Sequence, residues 1–362
     1  MFSIAVFIVT LSVLIIVHEF GHFILAKRTG VRVERFSLGF GPRLVGIRRN
    51  ETEYVISAIP LGGYVKLTGQ EPNEELKNEP WEFMSKSIGA RTLIILAGPL
   101  LNYLLGFVLF AGIFMIGSPT LTTEVGELID GYPAKAAGLL QGDRVIAVDG
   151  TAVSRWDDMV EMLRKKLDGA PAKLDVRRGT QTVVIEIKPT VKETQDLLGK
   201  KVRVALIGIA PSQNVEMVAY SPARSIVMAA EKVYNLTVIS CRALWAMALG
   251  RLSVRDSMTG PIGIFIITGK VAAMGIVHVL HFMGVLSVSL AIFNLLPVPV
   301  LDGGHMIFLA LEKVRKKRLT PKTQEWATNF GLAVLVFLMI FVFYSDIVKF
   351  KIVDGALSLF RR

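Results

Sequence analysis

The sequence predicts a polytopic α-helical membrane protein that also carries β-rich and mixed α+β regions. Of its 362 residues, 52% are hydrophobic, and the mean hydropathy is +0.52, which favours a membrane protein. Several apolar runs reach the length of about 20 residues that a membrane helix needs. Between these runs the pattern changes to the alternation of apolar and polar residues that is typical of strands.

Four apolar segments are long enough to cross a membrane as helices. They cover about residues 2–26, 92–116, 275–296 and 327–343. We expect the first segment to be retained, because it lacks the basic start and small-residue cleavage site of a signal peptide. A fifth stretch, 226–249, is interrupted by charged and polar residues, so we expect an amphipathic helix at the membrane interface, with a span as the alternative.

The positive charge is concentrated in two stretches that flank membrane segments. The formal net charge is +11, and its excess lies within residues 27–91 and 313–322. By the positive-inside rule both stretches face the cytoplasm, so the N-terminus and the near-neutral region 120–215 lie outside. Nucleic acid is therefore not expected as a partner. The single cysteine, Cys241, excludes an internal disulfide.

The loop after the first apolar segment predicts a β-rich structure close to the membrane. Residues 31–69 alternate apolar and polar side chains between glycine, proline and asparagine breaks, as short strands joined by turns do. A sheet edge can pair with an extended peptide, although a small soluble loop domain explains the same pattern. Residues 70–82 are polar and acidic, as in a linker.

The region between the second and third apolar segments predicts one small α+β domain. Its sequence AKAAGLLQGDRVIAVDG, at 134–150, is similar to the core signature of PDZ domains in their bacterial circular arrangement. That resemblance implies a domain that binds an extended peptide as an added strand beside a helix. A packing role for its apolar residues is the alternative.

The sequence HEFGH at residues 18–22 is the strongest chemical signal, since ionisable residues inside a membrane segment are costly and mark function. His18 and His22 are one helical turn apart and can bind one metal ion. Glu19 lies about 100° away around the helix and can reach a water at that metal without binding it. Polar contacts between helices are the alternative interpretation.

A catalytic zinc site normally has three protein ligands, so one further ligand is expected. The candidates are His278, His281, Asp302 and His305. His278 and His281 lie near the outer end of the third apolar segment, whereas Asp302 lies at its cytoplasmic end, at the depth of His22. Asp302 is therefore the better third ligand, although Asp-Gly-Gly alone is also typical of a turn.

Two asparagines lie within apolar segments. Asn294 precedes a stretch made irregular by Pro297 and Pro299, and such backbone must line protein or a wet cavity. Its amide can hold a substrate backbone or a developing oxyanion, with an interhelical hydrogen bond as the alternative. For Asn102 we favour packing and helix pairing over substrate contact.

Taken together, these motifs resemble the site-2 protease family, specifically its bacterial regulator-of-sigma-E type. The matching runs are HEFGH, GFGP, IPLGGYVKLTG, AGPLLN, the PDZ-like unit, TGPIGI and NLLPVPVLDGGH, in that order. The resemblance implies four membrane helices and a β-rich loop that reaches back into the membrane. It also implies one Zn²⁺ held by His18, His22 and Asp302, Glu19 as general base, and Asn294 in substrate positioning. Some members carry two tandem PDZ domains, whereas this chain has room for one.

The predicted function is hydrolysis of peptide bonds within transmembrane helices of single-span proteins, in the inner membrane of a bacterium. The predicted partners are these substrates, peptide segments at the PDZ-like domain and the lipid bilayer. Two alternatives are a membrane-anchored protease that cuts soluble segments and a scaffold without catalysis. The predicted order along the chain is helix 1–26, β-rich loop 27–91, helix 92–117, PDZ-like domain 118–215, amphipathic segment 216–274, helix 275–305, basic loop 306–326, and helix with tail 327–362.

Overall fold

The structure is a computed structural model that describes residues 2–70, 77–195, 201–212 and 214–350, without the side chains of residues 60, 61 and 195. Residues 71–76 of the predicted linker and 351–362 of the predicted tail lie outside the described residues. The chain forms two compact units. The membrane unit comprises Met1–Gly112, Ile226–Trp245 and Ser253–Arg362, and the inserted unit comprises Ile113–Ser225 and Ala246–Leu252.

Helices and strands alternate along the chain. The helices are α1 (Phe2–Arg28), α2 (Ile88–Ile116), α3 (Pro133–Ala136), α4 (Trp156–Arg164), α5 (Pro222–Ala248), α6 (Val254–Ser257), α7 (Pro261–Met274), α8 (Ile276–Asn294), α9 (Asp302–Arg315) and α10 (Pro321–Lys349). The strands are β1 (Val33–Arg49), β2 (Thr52–Leu67), β3 (Ser118–Leu121), β4 (Val125–Leu128), β5 (Arg144–Val148), β6 (Thr151–Ala152), β7 (Ala172–Arg178), β8 (Gln181–Ile187), β9 (Thr190–Gln195), β10 (Lys201–Leu206), β11 (Ile209–Pro211) and β12 (Val215–Val218).

Five helical segments in the described part of the chain are long and apolar enough to cross a membrane. Four of them, α1, α2, α8 and α10, match the predicted spans and confirm a polytopic helical membrane protein. The fifth, Val254–Met274, was not predicted as a span. It is interrupted after α6, and the 14 residues of α7 rise only about 21 Å, less than the roughly 30 Å of a hydrocarbon core. The predicted amphipathic segment 216–274 therefore also contains a strand end and this apolar helix.

The β-rich loop folds as a bent antiparallel pair, β1 and β2. Near the turn, Arg49 lies opposite Thr52, and the ladder continues to Arg43 opposite Ser57. Between residues 35–38 and 43–49 the chain reverses direction at Gly39 and Gly41. Their φ angles of +92° and +86° are unfavourable for residues other than glycine. As a result, residues 35–38 have register partners in both 63–66 and 53–56. The sheet therefore has four short segments, with 63–67 at one edge.

The inserted unit contains a four-stranded sheet in the order β6-β5-β7-β8. Its apolar core joins strand residues such as Val145 and Leu174 to Trp156 and Met159 of α4. Asp143 is 1% exposed in its side chain and binds Arg178 at 2.7 Å. Although burial opposes it, the Arg178 guanidinium holds the pKa of Asp143 below its usual range. The mixed α+β fold agrees with the predicted PDZ-like domain.

Candidate metal centre

Four helices of the membrane unit supply the polar residues of the candidate metal centre. Because α1 is an uninterrupted helix, the histidines of HEFGH lie on one side of it, in the half that ends at the basic residues Lys27 and Arg28. Asn102 lies on α2, and Asn294 is the last residue of α8. Asp302 is the first residue of α9, where the helix dipole favours a negative charge. Its Asp-Gly-Gly sequence begins a helix and does not form an isolated turn.

Three side-chain atoms converge at this centre. Nε2 of His18 lies 3.2 Å from Oδ2 of Asp302, and Nε2 of His22 lies 3.5 Å from the same oxygen. The two Nε2 atoms are 3.3 Å apart. In the described part of the chain these three residues form the group whose atoms can hold a metal ion. The structure thus brings together the three residues that the sequence predicted as ligands.

The arrangement of these atoms fits zinc. Zinc bonds of about 2.0 to 2.2 Å at tetrahedral angles place ligand atoms about 3.3 to 3.6 Å apart, which is close to the observed separations. Oδ2 of Asp302 is buried and has no hydrogen-bond partner among the described residues. Two imidazole nitrogens and one carboxylate oxygen thus converge, and the oxygen lacks a hydrogen-bond partner. A bound cation would give these three atoms a partner.

Each histidine also has a polar contact on its other ring nitrogen. Nδ1 of His22 lies 2.9 Å from the backbone oxygen of Ile94, so its N–H donates there and leaves Nε2 free for a metal. Nδ1 of His18 lies 3.4 Å from the side-chain nitrogen of Asn102. The sequence alone favoured packing for Asn102, because nothing in the pattern reveals which face of α2 meets α1.

The absence of a side chain at Gly98 of α2 leaves the space that the two histidine rings occupy. A Cβ atom at this position would lie 2.3 Å from Nε2 of His22 and 2.8 Å from Cε1 of His18. At Gly21 of α1, a Cβ atom would lie 2.3 Å from the backbone oxygen of Ala97. The small residues of HEFGH and AGPLLN therefore allow α1 and α2 to approach until their backbones touch.

Asn294 lies beside the ring of His18. Its Nδ2 is 3.5 Å from Nδ1 and 3.3 Å from Nε2 of that ring. Residues 295–301 after it are not helical, as Pro297 and Pro299 predict, and short turns satisfy part of their backbone, such as Leu301 N–H to the oxygen of Val298 at 2.8 Å. This irregular stretch carries the chain from Asn294 to Asp302.

A cavity of about 460 Å³ opens onto the centre. Glu19 lines it together with the three ligand candidates and Asn294. Its opposite wall includes residues 62–65 of β2. A Cβ atom on Gly63 would lie 3.5 Å from Cγ of Glu19, so this edge of the sheet lies directly against the glutamate.

The other three candidates for a third ligand lie apart from the converging atoms. His278 and His281 are in the first turns of α8, and the ring of His281 packs edge-on against Phe110 at 5.4 Å. His305 lies one turn after Asp302 and lines the same cavity. It is one of the polar residues lining this cavity, with Tyr64 and Gln70, for which the sequence predicted no role beside Asp302.

This combination defines a class: a helical membrane protein in which an HExxH helix and a carboxylate from a second helix form a candidate metal centre. Residues 6–338 match the sequence profile described as peptidase family M50. The chain belongs to this family, which contains the site-2 proteases, and it is a membrane metalloprotease.

Several relatives match the chain over nearly its whole length. Zinc metalloprotease RasP of Geobacillus kaustophilus is 30% identical over 425 residues, covering 96% of this chain and 98% of the relative. A chain of Agrobacterium fabrum, whose zinc metalloprotease activity is itself an inference, is 33% identical over 357 residues, covering 94% of each. The PDZ domain of an SdrC-like protein from Listeria monocytogenes is 25% identical, covers 25% of this chain and 85% of that chain, and has a TM-score of 0.19.

Proposed function

We propose that this protein is an intramembrane zinc endopeptidase that hydrolyses peptide bonds within the transmembrane helices of single-span membrane proteins. Anti-sigma factors and signal-peptide remnants are the substrate types that the family resemblance suggests, in regulated intramembrane proteolysis. The observation that carries the proposal is the convergence of His18, His22 and Asp302 within helices of the membrane unit, beside an edge of the β1–β2 sheet.

The proposed roles follow from the positions of the side chains. His18, His22 and Asp302 hold one Zn²⁺ per chain, and zinc supplies Lewis acidity and makes water more acidic. Glu19 accepts a proton from the attacking water and delivers it to the leaving amine. The amide of Asn294 donates a hydrogen bond to the substrate backbone or its developing negative charge.

The sheet edge supports a substrate in extended form. A transmembrane helix hides its carbonyl groups in hydrogen bonds within the helix, so the segment to be cut must first unwind. In the described residues, segment 63–67 pairs with a strand on one side only and lines the cavity on the other. An unwound segment pairs with this edge and so recovers the backbone hydrogen bonds that it loses.

The proposed topology follows the distribution of charge. The protein crosses the inner membrane of a bacterium several times, with its N-terminus and PDZ-like domain outside and its metal centre near the cytoplasmic face. The PDZ-like domain binds peptide segments of substrates. Its cavity of about 320 Å³ lies between α4 and residues 205–211, which is where a peptide strand would bind beside a helix.

A second candidate function is cleavage of soluble or loop segments by the same centre. A sheet edge can pair with an extended peptide from a soluble segment as well as from an unwound helix, which favours this alternative. The burial of the centre among apolar helices favours a membrane substrate. A scaffold without catalysis is the third candidate, and the complete ligand set together with Glu19 weighs against it.

Replacing Glu19 with glutamine tests the proposed catalysis. The variant keeps the three proposed ligands but lacks the carboxylate base. We therefore expect normal zinc content and a cleavage rate that is about 10²- to 10⁴-fold lower. Zinc is measured by mass spectrometry of the purified protein and cleavage with a single-span model substrate. His18→Ala is the matched control, which should lose both. Retained cleavage by Glu19→Gln contradicts the proposed role.

A further inference from the structure

Asn102 is a buried polar residue beside the metal centre that the proposed mechanism does not use. It is 0% exposed, and its Nδ2 lies 3.4 Å from Nδ1 of His18. Its own Oδ1 is buried and has no hydrogen-bond partner among the described residues. A buried amide oxygen without a partner is unfavourable, and in this orientation Oδ1 leaves a hydrogen bond unmade.

The chemistry of a zinc-binding histidine decides which end of the amide faces the ring. A neutral imidazole that presents the lone pair of Nε2 to a metal carries its proton on Nδ1, which is then a donor. An amide nitrogen is also a donor and cannot accept that proton. Rotation of the amide by 180° exchanges its two ends, which places Oδ1 opposite the Nδ1–H of His18.

We propose that Asn102 is a positioning residue whose Oδ1 accepts a hydrogen bond from Nδ1–H of His18. This bond fixes the ring orientation and the tautomer that presents Nε2 towards Asp302. It matches the contact of Nδ1 of His22 with the backbone oxygen of Ile94 at 2.9 Å. Each histidine of HEFGH then has its own acceptor from α2. The inference rests on the proposed zinc site.

Asn294 does not serve the same purpose. Its Nδ2 is nearly equidistant from the two ring nitrogens of His18, at 3.5 and 3.3 Å. A group so placed does not lie along the in-plane direction of either nitrogen, so it cannot select a tautomer. Asn102 contacts Nδ1 alone, and the backbone oxygen of Asn102 is held by the hydroxyl of Ser287 at 2.7 Å. The turn of α2 that carries Asn102 is therefore bonded to α8.

Two substitutions at Asn102 separate the proposed role from its alternatives. Asn102→Leu keeps a similar volume but removes the acceptor, and loss of such a partner costs about 10- to 100-fold in metal affinity. Asn102→Asp supplies a carboxylate that accepts from Nδ1–H, so we expect zinc affinity to be retained. Zinc affinity is measured by competition with a chelator, using the full-length protein in detergent. Gly112→Ala, a change on the same helix where an added Cβ meets nothing within 4 Å, should leave it near normal.

Each result decides the inference. Normal zinc affinity in Asn102→Leu, or an equal loss in Asn102→Asp, overturns it, because the first indicates packing alone and the second indicates a donor role. If the leucine variant fails to fold, the aspartate variant and the ¹⁵N shift of the His18 ring in the zinc-bound unaltered protein decide. A protonated Nδ1 supports the inference, and an unprotonated Nδ1 contradicts it. Zinc affinity that is unchanged by His18→Ala instead contradicts the proposed zinc site.

Discussion

At the scale of single residues, small side chains of α1 and α2 leave the space in which the candidate ligands converge. The histidines of HEFGH were predictable, because their spacing alone places them on one side of a helix. The position of Asp302 near them was predicted from its place at the end of the third apolar segment. The contacts of Asn102 and Gly98 were not, since the sequence of α2 does not state which of its faces lies against α1.

Replacing Gly98 with alanine tests this close approach. The added Cβ would lie 2.3 Å from Nε2 of His22, so either the ring or the helix must shift. We expect zinc affinity to fall by about 10-fold or more, with a matching loss of cleavage.

Gly112→Ala is the matched control for this substitution. Gly112 lies on the same helix, and a Cβ there would meet nothing within 4 Å, so its zinc affinity should stay normal. Equal zinc affinity in the two variants would show that the metal centre does not require this gap.

At the scale of secondary-structure elements, α9 has polar contacts at its first residue and again about three turns later. Asp302 begins the helix at the candidate metal centre. Glu312 forms a bidentate ion pair with Arg91 of α2, in which the two guanidinium NH₂ groups donate to the two carboxylate oxygens at 2.9 and 2.6 Å. The side chains of Arg91 and Glu312 are 3% and 15% exposed. This ion pair connects the start of α2 to the helix that carries the third ligand candidate.

Replacing Glu312 with glutamine should destabilise the membrane unit. Breaking a buried ion pair leaves an uncompensated charge and costs about 3 to 5 kcal/mol. We expect a lower unfolding temperature in detergent. Glu34→Gln is the control, because Glu34 pairs with Lys66 at a more exposed position, 38% and 39%, where a pair is worth about 0 to 1 kcal/mol. Unfolding temperatures that fall equally in both variants would contradict a buried role for Arg91–Glu312.

The β-rich loop shows what a pattern can and cannot predict about an element. Alternation of apolar and polar residues indicated short strands joined by turns, and the bent pair β1–β2 has four short segments. The alternation does not state that residues 35–38 lie between 53–56 and 63–66. That order depends on reversals at glycines with positive φ, and it determines which edge faces the metal centre.

At the scale of the whole molecule, the sequence predicted a helical membrane protein with an inserted α+β domain, and both are present. It did not predict the apolar helix α7, because the run TGPIGI begins with residues that break helices and α7 is shorter than a full span. In the structure the start of α7 is held from another helix. Asp346 of α10, 0% exposed, accepts hydrogen bonds from the backbone N–H groups of Gly260 and Gly263 at 3.1 and 2.8 Å.

The contact at Asp346 joins parts of the chain that are more than 80 residues apart. A carboxylate at the start of a helix satisfies free backbone N–H groups that have no partner within the helix. Within apolar surroundings those groups would otherwise be unsatisfied. Such long-range partners are set by tertiary structure and are not visible in a local sequence pattern.

The central claim is that the metal centre cuts peptide bonds inside a transmembrane helix. The most direct measurement is the position of the cut in a single-span model substrate with soluble segments on both sides, incubated with the purified protein and zinc. Mass spectrometry of the products identifies the bond, and Glu19→Gln serves as the inactive control. We expect a cut within the transmembrane helix that is absent with Glu19→Gln. A Glu19-dependent cut confined to a soluble segment would contradict it.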